Sequence, residues 1–543
     1  MKNLFAPLAA YRQLTFTASL GLGLLLSACN VTDLTPQDAL SETAIYGDVS
    51  RVALAVTGVY DAAQSGFYNG NTPASGVRGY PFGAASSDLG DARGEDVADV
   101  AGFFGIVYTN AITAASPNIV YMWANLYSVI NKANVTIAGV QQAAAAGVIS
   151  AADAASYESE LRFLRALSHM ELVINFSKPY TDNNGSNPGV PYRDTPINTV
   201  AAIAQANTQG RGTVAEVYTK MLADLDFAEA NINASSSLKT RATKGAIIAL
   251  KQRLRLYQGN WSATITEGNK LISGTGTFTS PIGSYALTAT QRAAFIGAGT
   301  TVENIFSIEN SNTDSPGTNG AIANVFGSSA AAPVGISGRA LLVVSPNLYN
   351  APFFTCNDQR RTTMMQPDGS LRTGYVIKKY LDAATSTDYN PIIRYAEVVL
   401  NQAEALARTG NNTQALALLN AVRNRSVAVA DQYAAGSLTG TSLVQAILNE
   451  RRIEFIGEGL RWGDISRLAL DANYAPLNGG GIPAKYLSSQ VTLARYGCGI
   501  GLPAGLKLAV DPIPYSSPLF LWPIPSTETQ INPTLASQQN PGY

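Results

Sequence analysis

Histidine is almost absent from this sequence: His169 stands alone among 543 residues. A single imidazole excludes every metal centre built from several histidines, including the H-E-x-x-H helix. No G-x-S-x-G segment occurs, which removes the usual nucleophile elbow. Charged residues make up only 14% of the chain, the formal net charge is −1, and no long run of one sign is present. Neither the basic stripe that nucleic acid requires nor a charged tail is on offer. Tryptophan is scarce, at 4 residues against 25 tyrosines and 17 phenylalanines. Trp123, Trp261, Trp462 and Trp522 all fall in helix-like or motif segments, so no tryptophan platform for a sugar stands out. Tyrosine, which joins a flat apolar face to a hydroxyl, is the aromatic left for a wet ligand site.

What is present begins with a targeting signal. Lys2 and Arg12 precede the uncharged "LTFTASLGLGLLLSAC", whose apolar part is too short to span a bilayer and predicts a secretory signal peptide over residues 1–28. Its ending, "LSAC", resembles a bacterial lipobox, which implies a mature chain that starts at acylated Cys29. Acyl chains would then hold the protein at a membrane, since no other segment approaches 18 uncharged apolar residues. Cys356 and Cys498 remain, in an oxidising compartment, either as a pair or as two buried thiols.

After a polar tether over 29–45, helical patterns dominate. "SPNIVYMWANLYSVINKANVTIAGVQQAAAAG" opens on Ser116 and Pro117 and closes at Gly147. "DAASYESELRFLRALSHMELVINF" places leucines near helical spacing, with His169 inside the pattern as a packed, hydrogen-bonded side chain. Two stretches, "KGAIIALKQRLRLYQGNWSATITEGNKLI" and "RYAEVVLNQAEALARTGNNTQALALLNAVRNRS", each give two helices joined by a Gly-Asn turn. That is the form of a tetratricopeptide-like unit. The copies are divergent and far apart in sequence, which predicts that they form no uninterrupted array. Long irregular segments lie between, at 65–117, 178–212, 273–300, 310–346 and 471–520. Loops of such length inside a compact protein are usually functional. The Asp-rich "SSDLGDARGEDVADV" lacks EF-hand spacing and is expected to be a solvated, ligand-facing loop.

The densest charge lies in "ERRIEFIGEGLRWGDISRL", where Glu450, Arg451, Arg452, Glu454, Glu458, Arg461, Asp464 and Arg467 crowd together. Glu454 and Glu458 are four apart and share a face on a continuous helix. Two such carboxylates suggest a glycosidase acid and base. Arg451, Arg452 and Arg461 are at hand to pair with them, however, and pairing keeps both ionised where a general acid needs a raised pKa. Gly457 and Gly459 also break the helix. The block therefore predicts a structural ion-pair network.

The same block resembles the signature of the SusD/RagB family, outer-membrane nutrient-binding lipoproteins of Gram-negative bacteria. The matching residues are Glu450, Arg451, Arg452, Glu454, Phe455, Glu458, Gly459, Arg461, Trp462, Asp464 and Arg467. "ELRFLRAL", "RATKGAIIAL", "ENIFSI", "IIRYAEVVLNQAEA", "LNAVRNR" and the C-terminal "LWPIPSTETQINPTLASQQNPGY" are similar to family blocks and keep the family order. The resemblance implies a mainly α fold, a single domain over 29–543 whose tetratricopeptide-like helix pairs form a scaffold under long ligand-binding loops. It implies a role without catalysis or cofactor, in which the protein hands an oligosaccharide, or in some relatives a peptide, to a SusC-like TonB-dependent transporter. It makes the charged block structural, packing later helices against the C-terminal segment. An interaction scaffold for the transporter, without nutrient contact, is the alternative. Ligand contacts are expected in the 65–94 loop, from Phe67, Tyr68, Asn69, Arg78, Tyr80, Phe82, Asp88 and Arg93. Tyr474, Tyr486 and Tyr496 are further candidates.

Overall fold

The computed structural model describes residues 41–68, 77–274, 278–297, 300–328, 338–368 and 372–543. The expected signal peptide, Cys29, most of the tether and Asn69 lie outside these residues. In chain order the principal helices are α1 (Val49–Gln64), α2 (Ala84–Ala92), α3 (Pro117–Ala145), α4 (Ala151–Phe176), α5 (Val214–Asn231) and α6 (Lys244–Tyr257). They continue with α7 (Trp261–Asn269), α8 (Tyr395–Arg408), α9 (Asn412–Arg423), α10 (Gly440–Glu454) and α11 (Arg461–Arg467). No helix among the described residues is long and apolar enough to cross a membrane.

Local chemistry sets the helix ends. Ser150 Oγ accepts from the Asp153 amide at the start of α4, and Thr213 and Glu216 form a reciprocal capping box on α5. The two Gly-Asn turns work alike. Gly259 and Gly410 take positive φ past the end of one helix, and Asn260 and Asn411 cap the next.

The helices pack serially, α3 on α4, α4 on α5, α6 on α7, α7 on α8, and α8 on both α9 and α10. This corrects the expectation of an interrupted array. The long insertion between α7 and α8 loops out, and the two Gly-Asn pairs stack directly on one another. Helix α8 sits at the centre, buried from Tyr395 through Ala407, and its alanines let its neighbours approach closely.

The insertion, residues 97–99 and the C-terminal segments build a second lobe on a four-stranded antiparallel sheet. Its strands are β1 (Val97–Asp99), β3 (Leu342–Val344), β4 (Met365–Asp368) and β5 (Gly374–Ile377), in the order β1-β3-β5-β4. Val97 faces Val344 and Met365 faces Ile377. Strands β2 (Asn304–Ile308) and β6 (Asn390–Arg394) form a separate antiparallel pair. The "IIRYAEVV" stretch thus leaves β6 and enters α8 at Tyr395. Cys356 and Cys498 are bonded, with Cα atoms 5.3 Å apart.

The Asp-rich segment is not a solvated loop. It forms α2 and β1, and Asp88, Asp91, Glu95, Asp96 and Asp99 are all buried. Each of the last four has partners that make burial tolerable. Asp91 accepts the Gly457 amide, Glu95 and Asp96 pair with Arg452 and Arg461, and Asp99 accepts three amides of the turn that follows it.

Candidate functional site

The charged block folds as α10, a turn at Gly457 and Gly459, and α11, so the helix breaks where the glycines predict. Its glutamates are ion-paired, but not with the arginines of the block itself. Glu454 meets Arg360 at 3.2 Å, Arg394 at 3.3 Å and Arg425 at 3.1 Å. Glu458 meets Lys379 at 2.5 Å and Arg394 at 2.6 Å. Arg394 and Arg425 both reach Glu303, and Arg360 also holds Asp358 and Glu450. Arg423 closes this cage of five carboxylates and five cations on Glu450. Arg451 instead pairs with Asp464, and Arg452 and Arg461 reach Glu95 and Asp96. Burial opposes ionisation of Glu454, yet Arg425, Arg394 and Arg360 together hold its carboxyl at about 2. A group so held keeps no proton to donate as a general acid.

The block also meets the C-terminal segment. Trp462 lies 5.2 Å from Phe520 and donates from Nε1 to the Ile174 carbonyl. Arg93 is clamped between Trp462 and Trp522, at 3.2 and 4.6 Å from the ring centroids. His169 is fully buried, with Nδ1 2.9 Å from the Arg165 carbonyl and Nε2 accepting the Arg193 amide. Burial pushes its imidazole down to about 3. These groups are frame, not reactive surface.

A surface shelf of different chemistry forms where residues 66–68 and 78–80 meet the start of α3. Asn125 fixes it, accepting the Phe67 amide at 2.7 Å and donating to the Phe67 carbonyl at 2.8 Å. Asn118 donates to the Tyr80 hydroxyl at 3.1 Å. Tyr68 stacks nearly parallel to Tyr80 at 6.3 Å and lies 4.5 Å from Tyr121, which Phe67 meets edge-on at 6.2 Å. The Arg78 guanidinium sits 4.4 Å from the Tyr68 ring and 5.0 Å from Phe103, and Arg339 lies 5.3 Å from Phe103. Phe67, Tyr68, Arg78, Phe103, Tyr121 and Arg339 are half-buried.

Three expected ligand contacts are corrected by burial. Phe82, Asp88 and Arg93 are each 1% exposed, because Phe82 fills the core, Asp88 lies on the inner face of α2, and Arg93 is held by tryptophans. Tyr80 backs the shelf from beneath, at 3% exposure. Tyr486 is buried, Tyr474 lies under Arg408, and Tyr496 joins Tyr349 and Tyr375 beside the disulfide. Phe103, Tyr121 and Arg339 were not anticipated. Asn118, Tyr121 and Asn125, spaced i, i+3, i+7 on one helix face, are the signal that marks Tyr121. Two open clefts lie apart from the shelf. One, of about 350 Å³, is lined by Tyr60, Asp61, Gln64 and Arg241. The other, of about 470 Å³, is lined by Tyr192, Arg193, Asp194 and Gln205.

Comparison with known proteins agrees with this architecture. Residues 357–543 match the model of the SusD family, and residues 93–256 match a model described as starch-binding associating with outer membrane. SusD-like protein P38 of Formosa agariphila is 24% identical over 513 residues, covering 84% of this chain and 90% of that protein. A SusD superfamily protein from Bacteroides fragilis superposes with a TM-score of 0.70 at 24% identity, covering 90% of this chain and 99% of its own. A laminarin binding SusD-like protein superposes with a TM-score of 0.64 at 21% identity, covering 92% of this chain and 100% of its own. The two matched stretches carry α3 to α6, α8 to α10 and the charged block that ties the array to the C-terminal segment, and on that ground this chain belongs to the SusD/RagB family.

Proposed function

We propose that this protein is an outer-membrane lipoprotein, anchored through Cys29, that captures an oligosaccharide and delivers it to a partner TonB-dependent transporter. The observation that carries the reading is the convergence of Phe67, Tyr68 and Tyr121 with Arg78 on one half-buried surface. Saccharides present CH faces to such rings and hydroxyls to nearby guanidinium groups. The description of the matched family model and the laminarin binding of a structural neighbour support a glycan over a peptide. Catalysis has no place in this reading, because the clustered carboxylates of the charged block are neutralised by cations.

Calorimetric titration of the protein lacking residues 1–29 against oligosaccharide and oligopeptide panels tests the proposal. Saturable binding of one glycan class, weakened roughly tenfold or more by Tyr68→Ala or Tyr121→Ala, is the expected result. Silence across the glycan panel, with the circular dichroism of a folded protein, would overturn it. Delivery is tested separately, by whether the tagged lipoprotein co-purifies with a TonB-dependent barrel from detergent-solubilised outer membranes.

A further inference from the structure

Several interior arginines of this protein are matched to carboxylates, while among the described residues the buried Arg93, Arg211 and Arg361 form no ion pair and are held instead by tryptophan rings or backbone carbonyls. Arg360, Arg394, Arg451 and Arg467 each meet at least one carboxylate at 2.6–2.8 Å. The two on the shelf are not so matched. Among the described residues neither Arg78 nor Arg339 forms an ion pair, and the buried Nε of each has no hydrogen-bond partner. Arg339 donates from Nη1 to Asn319 Oδ1 at 3.0 Å and from Nη2 to the Thr318 carbonyl at 2.9 Å, both neutral acceptors. Both guanidinium carbons lie within 5.3 Å of the Phe103 centroid, so two like charges share a single ring.

The carboxyl that acts on Arg339 is Asp88, and it is a poor counter-charge. It is 1% exposed, and its Oδ1 has no hydrogen-bond partner. Burial and the neighbouring Asp91 push it well above the ordinary carboxylate range, toward its neutral form. Burial and the Arg78 charge press on Arg339 in the destabilising direction, against the pull of Asp88. Among the described residues the shelf therefore carries positive charge without an ion-pair partner, beside rings suited to a sugar face. A planar guanidinium gains most from a carboxylate or sulfate, which accepts two parallel charge-assisted hydrogen bonds.

We infer that the cargo is an acidic saccharide, whose uronate carboxylate or sulfate ester is taken by Arg78 and Arg339 while its sugar rings lie on Tyr68 and Tyr121. This rests on the glycan reading above and narrows it to a substrate class.

The test titrates the protein lacking residues 1–29 with oligogalacturonides and sulfated galactan oligosaccharides, and in parallel with laminarin and malto-oligosaccharides. Acidic oligosaccharides should bind, added salt should weaken them, and the Arg78→Gln/Arg339→Gln double variant should lose roughly tenfold or more in affinity. Arg78→Lys, which keeps the charge and loses the planar fork, should lose less, and thermal melts establish that each variant is folded. Suppose instead that neutral oligosaccharides bind best, Tyr68→Ala removes them and the double Gln variant binds them unchanged. The charge inference is then overturned and the glycan reading stands. Binding of acidic peptides alone, or of nothing in either panel, overturns both.

Discussion

Glu454 touches three guanidinium groups while almost fully buried, so its carboxylate and its partners depend on one another. Removing one member strands the rest without solvent to compensate. Arg394→Ala, which leaves Glu303, Glu454 and Glu458 short of a cation, should cost roughly 3–5 kcal/mol of stability, read as a lower urea midpoint at unchanged slope. A loss under about 1 kcal/mol would mean that water enters the cage. Glycan affinity of the folded fraction should not change. The same residues set the acid response. Glu454 and Glu95 are each held at about 2, below their unfolded value, so their contribution is complete above the unfolded pKa. It is lost as pH falls from about 4.3 toward 2. His169 acts in a higher window. Its folded value of about 3 lies below the unfolded value of about 6.5, so the unfolded chain takes up the proton first. Stability from this group falls by about 1.4 kcal/mol per pH unit between those limits. Asp91, pushed up to about 7 by burial, acts in the opposite sense and gains stability as pH falls. The histidine contribution is therefore read as the difference between wild type and His169→Gln. That difference should shrink steadily from pH 6.5 downward, and a constant difference would contradict a neutral buried imidazole.

At the scale of elements, the junction of α2 with the turn between α10 and α11 is made backbone to backbone. A Cβ at Gly90 would stand 2.2 Å from the Gly459 carbonyl oxygen, and one at Gly459 would stand 2.7 Å from Ser87 Cα. Helix propensity alone makes Gly90→Ala stabilising by roughly 1 kcal/mol. The contact reverses the sign, and a net loss of about 1–3 kcal/mol is expected, seen as a lower melting temperature. A rise in melting temperature would show that α2 does not press on this turn. The same junction marks the limit of what the sequence discloses. The long helices announce themselves through apolar periodicity and through Gly-Asn turns whose two residues have separate physical roles. Helix α2 does not, because "AASSDLGDA" is small and polar and is buried only by what lands on it. The ion-pair character of the charged block is legible in its composition, yet the partners of Glu454 come from residues 360, 394 and 425, which no local pattern connects. The shelf is half legible for the same reason. Phe67, Tyr68 and Arg78 are close in sequence, whereas Tyr121, Phe103 and Arg339 reach the shelf from a helix, a turn and a distant strand approach.

Across the whole molecule, the shelf joins two bodies of different construction. Tyr121 belongs to the helical array, whose contacts are mostly between neighbouring helices, and Tyr68 lies against it, while Arg339 belongs to the sheet lobe, which closes over long sequence separations. That lobe is tied at its edge by the Cys356–Cys498 bond, across 142 residues of chain. Around the bond, the Tyr496 hydroxyl donates to the Val344 carbonyl at 2.6 Å, and Asn350 donates to the Arg495 carbonyl and accepts the Gly497 amide. A covalent link across so long a loop removes much freedom from the unfolded chain, and its loss typically costs about 2–5 kcal/mol. The Cys356→Ser/Cys498→Ser variant should therefore lose stability, and unevenly. Hydrogen exchange should quicken in β3, β5 and residues 481–501, while α3 and α4, buried against one another and against α5, keep their protection. Equal loss of protection in α3 and α4 would mean that array and lobe unfold as one unit. In the uneven case the array holds its rings in place while Arg339 drifts with the lobe, and the variant should bind its ligand more weakly although every ring of the shelf is intact.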